Sequence, residues 1–349
     1  MDKIAIIGMG LIGGSIGLAL KNSKTSNLEI IGHDVNPQAA KTAAKRGAID
    51  HAVFRLFEAV GGASMVIIAT PVLAIRETLE LIKDMVSPGC VVTDTGSTKE
   101  AILTWAEEYL PSEVSFIGGH PMAGSENSGI AAADPAIFQG SRYVIIPGRS
   151  ATKEAVDAVL NLITIVGARP FFLDAFEHDS LVAAVSHLPL VLSSALVTLT
   201  KRSSSWREMS KLAATGFRDT TRLASGDPVM SLDICITNRD GVIYWIDEIV
   251  KELLKYKKQI ISATQSKDAE EATDILAQTF ASAWESRERW LSSYESGRDE
   301  GDDTQPSLPS SREVMGDFIM GSALRERYKK MSSLFERHQD DSRRRRLRR

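Results

Sequence analysis

The sequence predicts an α/β protein in which a doubly wound, mostly parallel sheet is followed by an all-helical domain. Three observations support this prediction. An apolar run over residues 3–7 leads into a glycine-rich turn at 8–15, strand-like and helical patterns then alternate up to about residue 173, and only helical patterns follow residue 174. Such alternation implies a sheet covered by helices on both faces, with ligands at the carboxyl ends of its strands.

The first turn is typical of a Rossmann-type, dinucleotide-binding domain. Gly8 permits the tight turn, Gly10 leaves room for a pyrophosphate beside the backbone, and Gly13 lets the following helix pack closely on the strand. The free N–H groups and the positive end of that helix would hold the phosphates, at Leu11 and Ile12. The alternative is a glycine turn that only connects strand and helix.

An acidic residue follows the second strand pattern. Residues 28–33 end on Asp34, about twenty residues after the last glycine, where a carboxylate can bind the ribose hydroxyls of the adenosine half. Asp34 would repel a 2′-phosphate, which predicts NAD rather than NADP as the cofactor. The alternative for Asp34 is a helix N-cap before Asn36 and Pro37.

The remaining elements are assigned by periodicity. Further strands are predicted at 65–69, 90–93, 114–118, 143–147 and 170–173, with helices at 73–84 and 98–109 between them. Later helices are predicted at 176–201, 206–213, 227–238, 241–262, 268–294 and 312–337. Residues 188–199 are apolar on nearly every face, so this helix should be buried in a bundle or a dimer interface.

Length and composition predict the domain organisation. The 349 residues exceed one usual domain, and 43% hydrophobic residues suffice for two cores. We predict a dinucleotide-binding domain at 1–173, a helical substrate domain at 174–265, and a polar helical tail at 266–349. The tail contains a linker at 297–311 and an arginine-rich end, and we expect it to be peripheral or partly disordered.

Charge and cysteine content favour a cytoplasmic protein and give no sign of a nucleic-acid partner. The net charge of −4 does not indicate nucleic-acid binding, and a solvated tail is favoured for the arginine run at 343–349. Cys90 and Cys235 are far apart in apolar runs and make neither a disulfide framework nor a metal site. No leader pattern precedes the first strand, and we expect no apolar run near the roughly 18 residues of a membrane span.

Polar residues follow three strand patterns. Thr70 and Pro71 can lie against the nicotinamide side of the cofactor, Ser97 follows the next strand, and His120 lies in a Gly-Gly-His-Pro loop after another. A dehydrogenase acting on an alcohol must remove the hydroxyl proton, and a histidine with a pKa of roughly 6.5 is suited to this. We predict His120 as proton acceptor and Ser97 as its hydrogen-bonding orienter; the alternative is a satisfied buried or capping histidine.

The helical region offers groups for an anionic substrate. Arg218 and Arg222 lie four residues apart, hence on one face if helical, and guanidinium groups pair well with carboxylates. The alternative is a surface pair bridged to Asp219 or Asp227. His187 stands where the apolar helix begins, either as a ligand-binding or as a packing residue.

Together these stretches resemble the prephenate/arogenate dehydrogenase family of tyrosine biosynthesis. The resemblance runs from residue 1 to about 265 and rests on the motifs Gly8-Met9-Gly10-Leu11-Ile12-Gly13-Gly14-Ser15, Asp94-Thr95-Gly96-Ser97-Thr98-Lys99, Gly119-His120-Pro121-Met122-Ala123-Gly124-Ser125-Glu126-Asn127-Ser128-Gly129, His187-Leu188-Pro189 and Gly216-Phe217-Arg218-Asp219-Thr220-Thr221-Arg222-Leu223-Ala224. No regulatory domain or fused mutase domain is recognisable after residue 265.

The resemblance implies NAD-dependent oxidative decarboxylation, with His120 deprotonating the ring hydroxyl, Ser97 orienting both, and the helical domain forming a homodimer. It also implies that Arg222 binds a substrate carboxylate in a pocket lined by Arg218, Ser125, Glu126 and His187. Arogenate is the alternative substrate. A β-hydroxyacid dehydrogenase is a further alternative, although Lys201 and Lys211 lack that class's lysine motif, and a binding protein that uses NAD only as a sensor ligand is another.

Overall fold

The structure is a computed structural model that describes residues 2–23, 28–125, 127–265 and 269–296. The predicted pocket residue Glu126, the linker at 297–311, the helix at 312–337 and the arginine-rich end lie outside the described residues. By contacts between Cα atoms, the chain divides into two units, Met1–Asp247 and Glu248–Arg349. The predicted domain limits at residues 173 and 265 stay predictions.

The first unit contains an eight-stranded sheet in the order β3-β2-β1-β4-β5-β6-β7-β8. Its strands are β1 Asp2–Ile7, β2 Leu28–His33, β3 His51–Val53, β4 Met65–Ile68, β5 Val91–Asp94, β6 Ser115–Pro121, β7 Arg142–Pro147 and β8 Arg169–Phe172. All neighbouring strands are parallel except β6 and β7. This confirms the predicted mostly parallel sheet and adds β3, which the sequence reading missed.

Helices cover both faces of the sheet. They are α1 Leu11–Asn22, α2 Pro37–Lys45, α3 Leu56–Val60, α4 Val72–Ile82, α5 Glu100–Tyr109 and α6 Lys153–Ile165, with a 3₁₀ turn at Ile130–Ala132. Side chains of β1 alternate between two cores: Ile4 and Ile6 pack into one, and Ala5 and Ile7 into the other. This alternation is the period of two that a strand buried on both faces must have.

The helical part of the first unit begins after β8. Its elements are α7 Ala175–Val182, a π-helical turn Ala183–His187, α8 Leu188–Lys201, α9 Trp206–Leu212, α10 Thr215–Thr221, a 3₁₀ turn Arg222–Ser225, α11 Pro228–Thr237 and the first part of α12 Arg239–Gln265. Helix α11 is attached to the sheet half by polar contacts: the Leu73 amide donates to Asp233 at 3.0 Å, and the hydroxyls of Thr98 and Thr237 are 2.8 Å apart.

The second unit contains the later part of α12 and α13 Ala269–Ser296. These helices contact each other through the rings of Tyr256 and Phe280, whose centroids are 5.4 Å apart, and through a 3.1 Å hydrogen bond from Gln259 to Thr279.

One expectation about membrane spans needs correction. Among the described residues, the helical run Ala175–Lys201 is long and apolar enough to cross a membrane by length and composition alone. The same test is passed by core helices of soluble proteins, so one such run is weak evidence. This run also carries the buried polar residues His178, Asp179 and His187. Only 33% of its apolar window is buried within one chain.

The glycine turn lies where the chain order of the strands reverses, since β1 pairs with β2 on one side and β4 on the other. Gly8 has φ +95°, a conformation that L side chains rarely adopt. A Cβ at Gly13 would lie 2.0 Å from the Gly8 carbonyl oxygen, whereas a Cβ at Gly10 would meet nothing within 4 Å. The turn is therefore closed at Gly8 and Gly13 and open at Gly10.

This contrast predicts opposite effects of two alanine substitutions. Gly13→Ala should lower the free energy of unfolding by about 1–3 kcal/mol because the new methyl overlaps a backbone oxygen that cannot rotate away. Gly10→Ala is the matched control and should cost less than about 1 kcal/mol, since it only exchanges one helix N-cap residue for a poorer one. Urea unfolding of both variants measures the difference; equal losses would contradict the packing argument.

Candidate active site

The glycine turn and Asp34 form one hydrogen-bonded unit. The Asp34 carboxylate accepts the Met9 amide at 2.7 Å through Oδ2 and the Asn36 amide at 2.7 Å through Oδ1. The N-cap of α2 is Asn36, which accepts the Gln38 amide at 3.0 Å, so Asp34 is not this cap. Each carboxylate oxygen accepts only one of these bonds and keeps a lone pair for a further donor.

The start of α1 is suited to a phosphate group. Its N-cap Gly10 has no side chain to cap the helix, so within the described part of the chain this residue leaves the N-terminal amides of α1, at Leu11 and Ile12, open. Thr70 and Pro71 follow β4, the neighbour of β1, and Pro71 is the N-cap of α4. The Thr70 hydroxyl is buried without a hydrogen-bond partner among the described residues. An amide cluster and an orphaned hydroxyl at the strand reversal fit a bound dinucleotide.

The backbone that carries His120 is held by a buried ion pair. Lys99 donates to the Asp94 carboxylate and, at 2.7 Å, to the Gly119 carbonyl, while Asp94 accepts the Gly119 amide at 3.1 Å. Both charged side chains are fully buried. His120 itself belongs to β6, opposite Val144 of β7, and not to a loop as the sequence reading had it. A strand fixes the direction of this side chain more rigidly than a loop would.

His120 is held by a second histidine. Its Nδ1 lies 2.8 Å from Nε2 of His178 in α7, and the rings meet edge to face with centroids 5.1 Å apart. Nδ1 of His178 lies 2.7 Å from Oδ1 of Asp179. We expected Ser97 to orient His120, but among the described residues the hydrogen-bond partner of His120 is His178. Sequence reasoning missed His178 and Asp179 because no local motif marks them.

Asp179 also joins α7 to α5. Its Oδ1 accepts the Lys99 amide at 2.8 Å and its Oδ2 accepts the Glu100 amide at 3.0 Å. These are N–H groups at the amino end of α5, where a carboxylate is favoured by the helix dipole. The carboxylate that contacts His178 is therefore itself fixed by the first amides of α5, a helix that packs on the sheet.

The electrostatic surroundings keep His120 unprotonated. Burial, followed by the nearby His178, Lys99 and His187, holds the pKa of His120 well below its usual range. The imidazole is therefore neutral at pH 7 and has a lone pair available for a proton. A neutral, immobilised imidazole at the end of the sheet where ligands bind is suited to general-base catalysis.

His187 stands at the end of the π-helical turn and is fully buried. Asn238 donates through Nδ2 to the Asp179 carbonyl at 2.6 Å, and the same Nδ2 lies 3.1 Å from Nδ1 of His187. Because an amide nitrogen only donates, Nδ1 accepts and a neutral His187 carries its hydrogen on Nε2. This Nε2 is buried without a partner among the described residues.

Burial lowers the pKa of His187 to about 4, which the nearby Asp179 and the backbone of Ser97 only partly oppose. Ser97 is half-buried and lies on the His187 side of the site.

The other predicted substrate residues are more exposed. Arg218 in α10 pairs with Asp219 at 2.9 Å on the surface, the geometry of the surface-pair alternative. Helix α10 ends at Thr221 and Arg222 begins a 3₁₀ turn, so the two arginines belong to different helical segments. Ser125 is exposed in a loop and its hydroxyl contacts the backbone of Asn127. The described residues contain no cluster of three metal-ligating side chains.

Comparison with known proteins gives a consistent picture. Residues 16–171 match the family model described as the nucleotide-binding domain of prephenate dehydrogenase, and residues 174–279 match its dimerization domain. A prephenate dehydrogenase of Bacillus subtilis is 38% identical over 274 residues, which are 77% of this chain and 72% of the relative.

Two solved structures are similar in both sequence and fold. One is a prephenate dehydrogenase from A. aeolicus in complex with hydroxyphenyl propionate and NAD+, with a TM-score of 0.74, 29% identity, and 82% and 97% of the two chains covered. The other is a Synechocystis arogenate dehydrogenase, with a TM-score of 0.65, 27% identity, and 81% and 99% covered.

The buried state of His187 predicts a pH-dependent stability. Its pKa is about 4 in the folded chain and near 6.5 when unfolded, so the unfolded chain binds more protons between these values. The free energy of unfolding should therefore fall as pH falls from 6.5 to 4, by up to about 3 kcal/mol from this residue. Urea unfolding at pH 7.5 and 4.5 measures the loss.

A His187→Gln variant should lose markedly less stability than the natural chain over this interval, because its side chain does not titrate. His51→Gln is the control, since His51 is largely exposed. If His187→Gln and the natural chain lost the same stability on acidification, His187 would not be the titrating group.

Proposed function

The chain belongs to the prephenate dehydrogenase family, and we propose that it catalyses the NAD-dependent oxidative decarboxylation of prephenate to 4-hydroxyphenylpyruvate in tyrosine biosynthesis. The single observation that supports the reaction best is the buried, neutral imidazole of His120, held through Nδ1 at the end of the sheet where ligands bind. This group is what removal of a hydroxyl proton requires.

The residues around the glycine turn fit NAD. We assign the phosphates to the open backbone at Gly10 and the start of α1, the ribose hydroxyls to Asp34, and the nicotinamide side to Thr70 and Pro71. When bound, NAD supplies the acceptor for the hydride that leaves ring C4. The Asp34 carboxylate disfavours a 2′-phosphate at the same place, which supports NAD over NADP.

His120 is the acceptor for the proton of the ring hydroxyl. Its Nε2 accepts this proton while the O–H bonding electrons form the C4 carbonyl. The bond between C1 and its carboxylate then breaks and carbon dioxide leaves. The bonding pair completes an aromatic ring as the π electrons of the C4 carbonyl move onto its oxygen, which then takes a proton to give the phenol. Aromatisation drives the step, so the protein needs only to hold the base, the hydroxyl and the hydride acceptor in line.

The substrate is a dicarboxylate, which requires donors in the site. The buried Nε2–H of His187, which has the backbone of Ser97 nearby, is assigned as one of these donors. We further assign carboxylate binding to Arg222, with Arg218, Ser125 and Glu126 as lining residues. Ser97, half-buried beside the His187 side of the site, is assigned to the substrate hydroxyl.

Arogenate is the second candidate substrate, supported by the likeness to the Synechocystis arogenate dehydrogenase. Prephenate and arogenate differ in a keto versus an amino group on the side chain, remote from the reacting C4. The β-hydroxyacid dehydrogenase alternative finds no support, because Lys201 and Lys211 are exposed, whereas the buried lysine among the described residues, Lys99, is paired with Asp94.

An assay of NADH formation tests the proposal. Prephenate and arogenate are each incubated with NAD and with NADP, and we expect the highest kcat/KM with prephenate and NAD. His120→Asn should lower kcat by roughly 10²–10⁴-fold without weakening NAD binding, because the base is lost and the nucleotide contacts are kept. His51→Asn is the control. Unchanged turnover in His120→Asn would refute His120 as the base, and NAD binding without turnover would favour the sensor alternative.

We also propose that the chain is a homodimer and works in the cytoplasm. The match of residues 174–279 to a dimerization domain supports the first point. An open apolar groove also supports it, lined by Leu190, Val191, Ala195, Thr198, Leu199 and Cys235. Unpaired Cys90 and Cys235 support a reducing compartment. The partner of the active site is a small molecule.

The groove predicts a variant that dissociates. Leu199 is 70% exposed in one chain, and Leu199→Glu would place a charge in the proposed interface. Light scattering after gel filtration should give twice 38.0 kDa for the natural chain and the monomer mass for Leu199→Glu. Leu81→Glu, at an equally apolar but separate exposed site on α4, should stay dimeric. A natural chain that elutes as a monomer would contradict the proposal.

A further inference from the structure

The described site contains two buried polar residues to which the proposed reaction gives no role. His178 is fully buried and Asp179 is 2% exposed, and both lie on α7, far in sequence from the strand that carries His120. They form an uninterrupted chain of contacts, from Asp179 Oδ1 to His178 Nδ1 at 2.7 Å and from His178 Nε2 to His120 Nδ1 at 2.8 Å.

We propose that His178 and Asp179 are positioning residues that fix His120 in the tautomer whose lone pair is on Nε2. This inference rests on the proposed function, since it assigns how the base of that reaction is kept competent. Neither residue touches the reacting atoms in this role.

Asp179 accepts the amides of Lys99 and Glu100, and it contacts Nδ1 of His178 through the same Oδ1 that takes the Lys99 amide. An ionised carboxylate offers only acceptors, and two lone pairs facing each other at 2.7 Å would repel. Nδ1 of His178 therefore carries a hydrogen and donates it to Asp179.

The hydrogen on Nδ1 of His178 in turn determines the tautomer of His120. A neutral His178 with its hydrogen on Nδ1 has its lone pair on Nε2, so Nε2 must accept. Nδ1 of His120 then donates, and the lone pair of a neutral His120 is on Nε2. The structure gives this Nε2 no hydrogen-bond partner among the described residues, which leaves it for the substrate hydroxyl.

A protonated His178 would have the opposite effect, because its Nε2 would donate and force the hydrogen of His120 onto the atom that must accept. The proposed arrangement therefore includes a neutral His178. The charged and titratable groups that face His120 are His178, Lys99 and His187, and Asp179 lies behind His178.

The contacts from Asp179 through His178 to His120 also have a function after proton transfer. Once Nε2 of His120 has taken the hydroxyl proton, both ring nitrogens carry hydrogens and the ring is cationic. The Nδ1–H of His120 still donates to the lone pair on Nε2 of His178, and Nδ1–H of His178 still donates to the Asp179 carboxylate. The positive charge is thereby stabilised without any heavy atom having to move.

The tautomer can be read without turnover. The full-length chain labelled with ¹⁵N in its histidine rings, at pH 7.5, should give a His120 spectrum with a protonated Nδ1 and an unprotonated Nε2, assigned by loss of its signals in His120→Asn. A hydrogen on Nε2, or an average of the two tautomers, would overturn the inference. Because no substrate is needed, this result stands apart from failure of the proposed reaction in the natural chain.

Two substitutions of His178 test the role in catalysis. His178→Leu removes the acceptor for the Nδ1–H of His120 and should lower kcat about 10²-fold, with KM for NAD unchanged. Loss of a residue that only orients a functional group costs roughly 10–100-fold, and a wrong histidine tautomer costs roughly 10⁴-fold. His178→Gln keeps a carbonyl oxygen for the Nδ1–H of His120 and should restore most of the activity. His51→Gln serves as the control.

Equal kcat values for His178→Leu and the natural chain would overturn the role. So would equal loss in His178→Leu and His178→Gln with the His120 tautomer unchanged in both, since that pattern belongs to a packing defect.

Discussion

The Asp179 carboxylate is the contact on which the arrangement of the site depends. It accepts hydrogen bonds from two amides at the start of α5 and contacts His178. The backbone carbonyl of Asp179 accepts a further hydrogen bond from Asn238 at the end of α11. Three elements, α5, α7 and α11, therefore meet at one buried residue. A buried carboxylate with this many donors is stabilised where it is, and displacing it would leave several N–H groups unsatisfied at once. Fold stability and orientation of the base are thus linked through the same atoms.

The Lys99 and Asp94 pair has a different function. Both groups are fully buried, and burial lowers the pKa of Lys99 while the Asp94 charge opposes this shift. A buried ion pair is weak evidence for stability, because desolvation offsets most of its attraction. Its geometry is more informative: it holds both backbone groups of Gly119 and so sets the register of β6 at the residue before His120. The pair specifies position more than it adds stability.

The sequence predicted those parts of the molecule whose determinants are local. The glycine turn and Asp34 are contained in the first βαβ unit, so their spacing alone implied their contact. His120 was recognised as a residue but placed in a loop, because Gly-Gly-His-Pro has the composition of a turn, and only pairing with β7 extends the strand through it. His178 and Asp179 could not be found this way, since their partners lie 58 and 80 residues away and no local pattern marks them.

The low proton affinity of His120 raises the question of how it can serve as a base. An imidazole whose pKa is held down by burial is always unprotonated near neutral pH, but it also gives little driving force to proton transfer. In the proposed reaction that driving force is not required from the base, because loss of carbon dioxide and formation of an aromatic ring make the step downhill. The base must instead be unprotonated, correctly oriented and able to carry a transient charge. Burial supplies the first condition, and the contacts with His178 and Asp179 supply the other two, so the features that weaken His120 as a free base suit it to this chemistry.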